Sequence, residues 1–310
     1  MFGIIKKIST VFAAALSLLF LSTGSAFAAG GVPDPASADL PNAVTMDVDW
    51  TYNFIRAAHV ANGVAMTNRT SGTIHLRGVP AGSAVYRAFL YYNFSDGNAV
   101  GAKRVPAIIN GHRVSGQKVA DNIDPCWGAA GNHTYRANVT AFVPKKKPNQ
   151  DYVVAFTINK ATTGENPWDL GNPQNHVKGA TLIVVYRSAE LAGSVTIYDA
   201  LDGSEFNGLG TFNLVNPGVT AAGLFTMTGA DGQRGQGHDN GAANETTFFN
   251  GTQIAGPPVV MSDWDGTDGI PMPQLWDTHT HPVKLAGGLE NVVYNAPADC
   301  LVPVAFVIQD

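Results

Sequence analysis

Asp277, His279 and His281 stand two residues apart within QLWDTHTHPV, residues 274–283. On a β-strand that spacing puts all three on one face, about 7 Å from one to the next. Two imidazoles and a carboxylate so presented are a known way to hold Zn²⁺. A third or fourth ligand could come from His238, Asp239, Asp263 or Asp265. The stretch SDWDGTDG, residues 262–269, sets Asp263, Asp265 and Asp268 among glycines, a composition able to wrap Ca²⁺. It lacks the ligand order and closing glutamate of an EF-hand. The plainer reading of 277–281 is a solvated strand face near a sheet edge. Pro282 favours it, because proline removes a ladder donor. No HExxH or comparable zinc motif is present.

Other reactive chemistry is sparse. GADGQRGQGHDNG, residues 229–241, is a glycine-rich loop without the lysine of a phosphate-binding loop. DALDGSE, residues 199–205, is an acidic turn of the same ambiguity as 262–269 but less dense. PKKKPN, residues 144–149, is a basic turn whose alternative role is contact with an anionic polymer. No G-x-S-x-G occurs. Sequons stand at Asn68, Asn93, Asn132, Asn138, Asn244 and Asn250, as Asn/Thr-rich composition alone would give. An enzyme is therefore the weaker expectation, with a metal-dependent hydrolase around Asp277, His279 and His281 as its form. A carbohydrate binder using Trp50, Trp127, Trp168 or Trp264 is the third class.

Strands must position these residues. Asn-Gly recurs at 62, 110, 207, 240 and 250, and Asp-Gly at 96, 202, 231, 265 and 268. Such dipeptides supply the positive φ that tight hairpins need. Between them, residues 84–94 alternate, with Tyr86, Ala88, Leu90, Tyr92 and Phe94 on one face. Residues 153–156, 181–186 and 303–308 are continuous apolar runs, as in strands buried on both faces. The expected fold is all-β: two tandem β-sandwich, jelly-roll-like modules.

An internal echo supports the tandem. AFLYYNFSDG resembles GLFTMTGADG, AIINGHRVSG matches TFFNGTQIAG, and TYRANVTAFV occupies the slot of DTHTHPVKLA. Each half then closes on an apolar strand, ATLIVVY and PVAFVIQ. The expected division is a signal peptide at 1–28, a flexible arm at 29–43, and modules at 44–204 and 205–310. The arm could pair with the sheet edge of a neighbouring molecule.

Lys6 and Lys7, an apolar run and Ser-Ala-Phe-Ala28 form a secretory signal, with cleavage expected after Ala28. No later segment approaches the roughly 18 apolar residues of a spanning helix. Losing two lysines and no acid takes the net charge from −5 to −7, which argues against a nucleic-acid partner. Only 14% of residues are charged, against about 25% in a typical domain. Cys126 and Cys300, in an oxidising compartment, are expected to form a disulfide.

VYRAFLYYNFSDG, IINGHRV, CWGAAGNHTYRANVTAFV, GATLIVVYRS with TIYDALDG, and DCLVPVAFV together resemble an uncharacterised domain family. That family occurs in secreted and cell-surface proteins of bacteria and archaea, some adhesin-like or associated with surface layers. The resemblance implies tandem all-β modules and export, and brings no active site with it. The expectation is a secreted or cell-surface structural, matrix or adhesin-type protein. Its partners are other copies of itself, other surface proteins or polysaccharides, and Ca²⁺ or Zn²⁺ is its conceivable cofactor.

Overall fold

Two Asn-Gly pairs form tight two-residue turns. Asn110 and Gly111 have φ of 46° and 80°, and Asn250 and Gly251 have 48° and 76°, the double positive φ of a type I′ hairpin. The computed structural model describes residues 43–48, 51–66, 69–124, 128–157, 176–199, 205–206, 209–232, 245–259, 262–266, 276–295 and 300–310. All of these lie within one unit, Pro33–Asp310. Apart from a 3-10 turn at Thr140–Phe142, the described elements are strands.

In chain order the first ten are β1 (Ala43–Val48), β2 (Tyr52–Ile55), β3 (Ala58–Ala65), β4 (Ser71–His75), β5 (Ala84–Asp96), β6 (Arg104–Ile109), β7 (His112–Asp124), β8 (Ala129–Asn138), β9 (Asp151–Phe156) and β10 (His176–Arg187). They continue as β11 (Ser194–Asp199), β12 (Glu205–Phe206), β13 (Leu209–Asn216), β14 (Ala222–Ala230), β15 (Thr246–Phe249), β16 (Thr252–Ala255), β17 (Trp276–Lys284), β18 (Gly288–Asn295) and β19 (Cys300–Gln309). One sheet runs β3-β10-β5-β8-β7-β6-β9-β4. A second runs β17-β14-β19-β11-β2, and a third β1-β13-β18-β15-β16.

The echo in the sequence is an echo in topology. Strands three, six and eight of the first set, β5, β8 and β10, are neighbours in the order β10-β5-β8. Their counterparts β14, β17 and β19 are neighbours as β19-β14-β17. Likewise β7-β6-β9-β4 matches β16-β15-β18-β13. Each set is an eight-stranded jelly roll. The sheets change over at residues 58 and 187–194 rather than at 204/205. β11 is the first strand of the second roll, and β1 and β2 also join that roll, β1 parallel to β13 and β2 antiparallel to β11.

The rolls differ at one seam. In the first, β7 pairs with β6 and then, from Gln117 onward, with β8, so its eight strands form one curled sheet. In the second, β16 is four residues long and stops at Gly256-Pro257-Pro258. Proline cannot continue the ladder. Among the described residues β16 and β17 do not pair with each other, and the roll opens into two sheets.

Three cores follow. All eight strands of the curled sheet face one, which includes Ile74, Leu90, Tyr92, Ile109, Tyr135, Val154 and Leu182. The outer face of β3-β10-β5 packs on the middle sheet through Phe89, Tyr91, Ile183, Val185, Ile197, Trp276 and Val304. The other face of the middle sheet meets the third through Phe212, Phe225, Met227, Tyr294, Phe306 and Ile308. Residues 181–186 and 303–308 are thus buried on both faces. Residues 153–156 are not: β9 alternates, and Val153 is 51% exposed. Asn62-Gly63 makes no turn either. It lies inside β3, paired with Leu182 and Thr181.

Candidate metal centre

Among the described residues β17 is the edge strand of the middle sheet, paired with β14. Its even residues face the first jelly roll. Trp276 packs where Gly179 has no side chain, since a Cβ there would sit 2.4 Å from Trp276 Cγ. Trp276 Nε1 donates to Thr181 Oγ1 at 2.8 Å, and Thr278 joins the same hydroxyl at 2.6 Å. The odd residues Asp277, His279 and His281 therefore turn inward, towards the seam that β16 leaves open.

The loop 262–266 fills part of that seam. Ser262, Asp263, Trp264 and Asp265 are all buried. Trp264 anchors the loop: it packs 5.4 Å from Tyr294 and covers Gly229, where a Cβ would lie 2.2 Å from its ring. Ser262 Oγ accepts from Trp264 N at 3.0 Å and donates to Glu245 Oε2 at 3.2 Å. Gly266 N donates to Asp277 Oδ1 at 2.8 Å. Gly232 makes room for the same carboxylate, because a Cβ there would stand 2.2 Å from Asp277 Oδ2.

Ligand atoms converge as a result. One from each of Asp265, Asp277 and His279 lie within 4.8 Å of one another. Asp277 is fully buried and Asp265 is 4% exposed. His279 Nε2 is 3.5 Å from Asp277 Oδ1. Beside them His281 Nε2 meets Asp263 Oδ1 at 2.6 Å. Burial by itself lowers the His279 pKa. The adjacent Asp277 carboxylate, with the charges of Asp263 and Asp265, outweighs it and raises the pKa to about 9. Those carboxylates hold a positive charge in place, which a metal ion would supply instead of a proton.

The donor set fits a divalent ion. Two buried polar atoms, His279 Nε2 and Asp263 Oδ2, have no hydrogen-bond partner. Imidazole with carboxylates suits Zn²⁺, whereas Ca²⁺ takes oxygen ligands throughout. The structure thus brings together five residues singled out in the sequence: Asp263, Asp265, Asp277, His279 and His281. Asp268, His238 and Asp239 lie outside the described residues, as do Cys126, the side chain of Cys300, and Trp50, Trp127 and Trp168. Trp264 is 1% exposed, so it serves the core and not a ligand surface.

Sequence reasoning missed a second polar cluster. Lys178 is the extra residue where Val177 pairs with Phe94 and Gly179 with Asn93, and this bulge turns it inward. Fully buried, its Nζ meets Asp231 Oδ1 at 2.5 Å and Asp124 Oδ2 at 3.2 Å, which ties β10 to the end of β14. A lysine inside an apolar run was the available signal. Two sequon asparagines, Asn93 and Asn132, are buried and bonded to each other.

No family model and no curated protein matches the chain. Among solved structures it is similar to wild-type BuGH86 in complex with neoagarooctaose, at 11% identity and a TM-score of 0.28. That match covers 83% of this chain and 32% of the other, so the chain spans about a third of that protein. It is also similar to PNGF-II (11% identity, TM-score 0.27, 82% of this chain and 65% of that one). A third is the ANX2 ectodomain from Arabidopsis thaliana (9% identity, TM-score 0.26, 83% and 82%). Likeness at this level carries no argument about function.

Proposed function

We propose that this is a secreted or cell-surface structural protein, of matrix or adhesin type, whose second jelly roll is fastened by one divalent transition-metal ion, Zn²⁺ fitting best. Asp265, Asp277 and His279 hold the ion, with His281 and Asp263 beside them. The observation that carries the reading is the convergence of two buried carboxylates and the part-exposed imidazole of His279 within 4.8 Å. A structural ion is closed by four protein ligands, so His281 or Asp263 would complete the three, while a catalytic ion keeps a position open to substrate. A groove of about 800 Å³ does open along the seam, lined by Ala222, Phe249, Ile254, Pro282, Val283 and Leu285 among others. It is apolar, and none of the candidate ligands lines it. The export signal, the low charge and the resemblance to surface-protein domains support the extracellular part of the reading.

Elemental analysis after exhaustive dialysis, beside His279→Ala/Asp277→Asn, is the test. About one zinc per chain, lost in the variant together with part of the thermal stability, is the expected result. Metal-free protein, or metal unaffected by the variant, would sink the assignment. Turnover of a substrate that His279→Ala abolishes would replace the structural role with a catalytic one.

A further inference from the structure

Cations gather where β5 begins and β10 ends. Ala84 pairs with Arg187, and Val85 N donates to Lys145 O at 2.9 Å, which brings Lys145, Lys146 and Lys147 to the same end of the first jelly roll. Arg187 Nη2 donates to Ile55 O at 3.1 Å, so Arg56 joins them from the β2–β3 turn. Arg87 is the sixth. Elsewhere Arg77, Lys118, Arg136 and Lys178 each meet a carboxylate. Among the described residues the six cations of this end do not, and neither do Arg69, Lys103, Arg104, Arg113 and Lys284. The chain as a whole is acidic, with a net charge of −5, so its composition does not account for such an excess.

The patch is built rather than scattered. β5 carries a bulge at which Val85 pairs with Tyr186 and Arg87 with Val185, leaving Tyr86 unopposed. The bulge takes Tyr86 off the core face that strict alternation assigns it and turns it out. There its ring is clamped by two guanidiniums, Arg187 at 3.6 Å and Arg87 at 4.4 Å, and Phe54 meets it edge-on at 5.9 Å. Arg56 holds a left-handed φ of 52°. Arg56, Arg187, Ser188 and Ile55 line a cleft of about 240 Å³, large enough for one carboxylate or sulfate group. Arg187 Nε has no hydrogen-bond partner. Guanidinium forks match the two oxygens of such groups, and lysines add point charge along the approach.

We propose that this end of the first jelly roll binds an acidic polysaccharide. One acidic group enters the cleft between Arg56 and Arg187, and the chain continues over Lys145–Lys147. The part-exposed edge of Phe54, with the guanidinium-covered Tyr86 ring beside it, lies against the sugar. These rings distinguish a polysaccharide from a bare polyanion such as polyphosphate, which has no apolar face to offer. The surface shares no residue with the metal centre, so either proposal can fail alone.

Affinity electrophoresis of the purified chain tests it, in gels containing polygalacturonate, a sulfated galactan or neutral dextran, with polyphosphate as a competitor. Arg56→Gln/Arg187→Gln is compared with the exposed-loop variant Lys145→Gln/Lys146→Gln/Lys147→Gln, and circular dichroism melts check that both fold. The expected result is retardation by at least one acidic polysaccharide, none by dextran, and an apparent Kd about tenfold weaker in each variant. Raising salt from about 0.05 to 0.5 M should weaken binding by a similar factor. If the arginine variant does not fold, the lysine variant carries the test. Equal retardation by dextran, polyphosphate competing as well as the polysaccharide, or unchanged binding in the folded variants would each overturn the proposal.

Discussion

Single residues in this protein carry unusual weight where they keep buried charge compensated. Lys178 with Asp124 and Asp231 is the clearest case. The group stabilises little relative to apolar residues of the same shape, but breaking it leaves carboxylates stranded in the interior. Lys178→Met should therefore cost about 3–5 kcal/mol in urea unfolding. Adding Asp124→Asn and Asp231→Asn to it should recover much of that loss, and no recovery would disprove the account. Gly232 makes a different point, about space. Gly232→Ala puts a methyl 2.2 Å from Asp277 Oδ2, so the carboxylate must move. The expected outcome is loss of bound metal with about 1–3 kcal/mol of destabilisation; full metal content by elemental analysis would contradict it. His279 and Asp277 were legible as candidates from their spacing alone. Asp263 and Asp265 were two of four candidates for the further ligands, and their facing this strand depends on the anchoring of Trp264 against Gly229 and Tyr294.

At the scale of elements, the edges decide behaviour. β1 and β2 cover β13 and β11, which would otherwise present open ladders to other molecules. Deleting residues 43–55 should leave the first jelly roll's sheet intact and make the protein self-associate. Light scattering after size exclusion reads this out, and a monodisperse monomer would show that those edges are harmless. The sequence did not show which strands β1 and β2 would join. The bulges were equally hidden. Nothing in AVYRAFLYYNF says that Tyr86 leaves the face of Leu90 and Tyr92, since a bulge exists only relative to the strand opposite.

For the molecule as a whole, the two jelly rolls meet through an apolar layer crossed by polar ties. His59 is one: its Nε2 lies 2.7 Å from Thr226 Oγ1 and its Nδ1 2.9 Å from Gln309 Oε1, so β3 is bonded to β14 and β19. Burial lowers its pKa from 6.5 to about 4, against the hydrogen bond His59 makes to Gln309 Oε1, which raises it. The folded protein thus keeps the ring neutral, while the unfolded chain takes up a proton near pH 6.5. Stability from this group is complete above that pH and is lost as the pH falls towards 4, on the order of 3 kcal/mol in all. Urea titrations at pH 7 and pH 4 should show the native protein losing about that much more than His59→Gln; equal losses would remove His59 from the explanation.

What the sequence by itself determined is local or repetitive. The alternation of residues 88–94, the Asn-Gly turns at 110 and 250, and the apolar runs at 181–186 and 303–308 fix an all-β chain. The four matched segments fix its duplication. These signals survive in one dimension because strand period and positive-φ turns are properties of neighbouring residues. Tertiary structure alone decided that the second roll opens at β16, that β1 and β2 join that roll, and that Asn62-Gly63 runs straight through a strand. Each depends on which strand lies alongside, and that is chosen by burying faces brought together from 100 or more residues apart in the chain, as in the pairing of β3 with β10. The metal-centre geometry belongs to the same class: one strand supplies its regular spacing, and an unpaired seam supplies the rest.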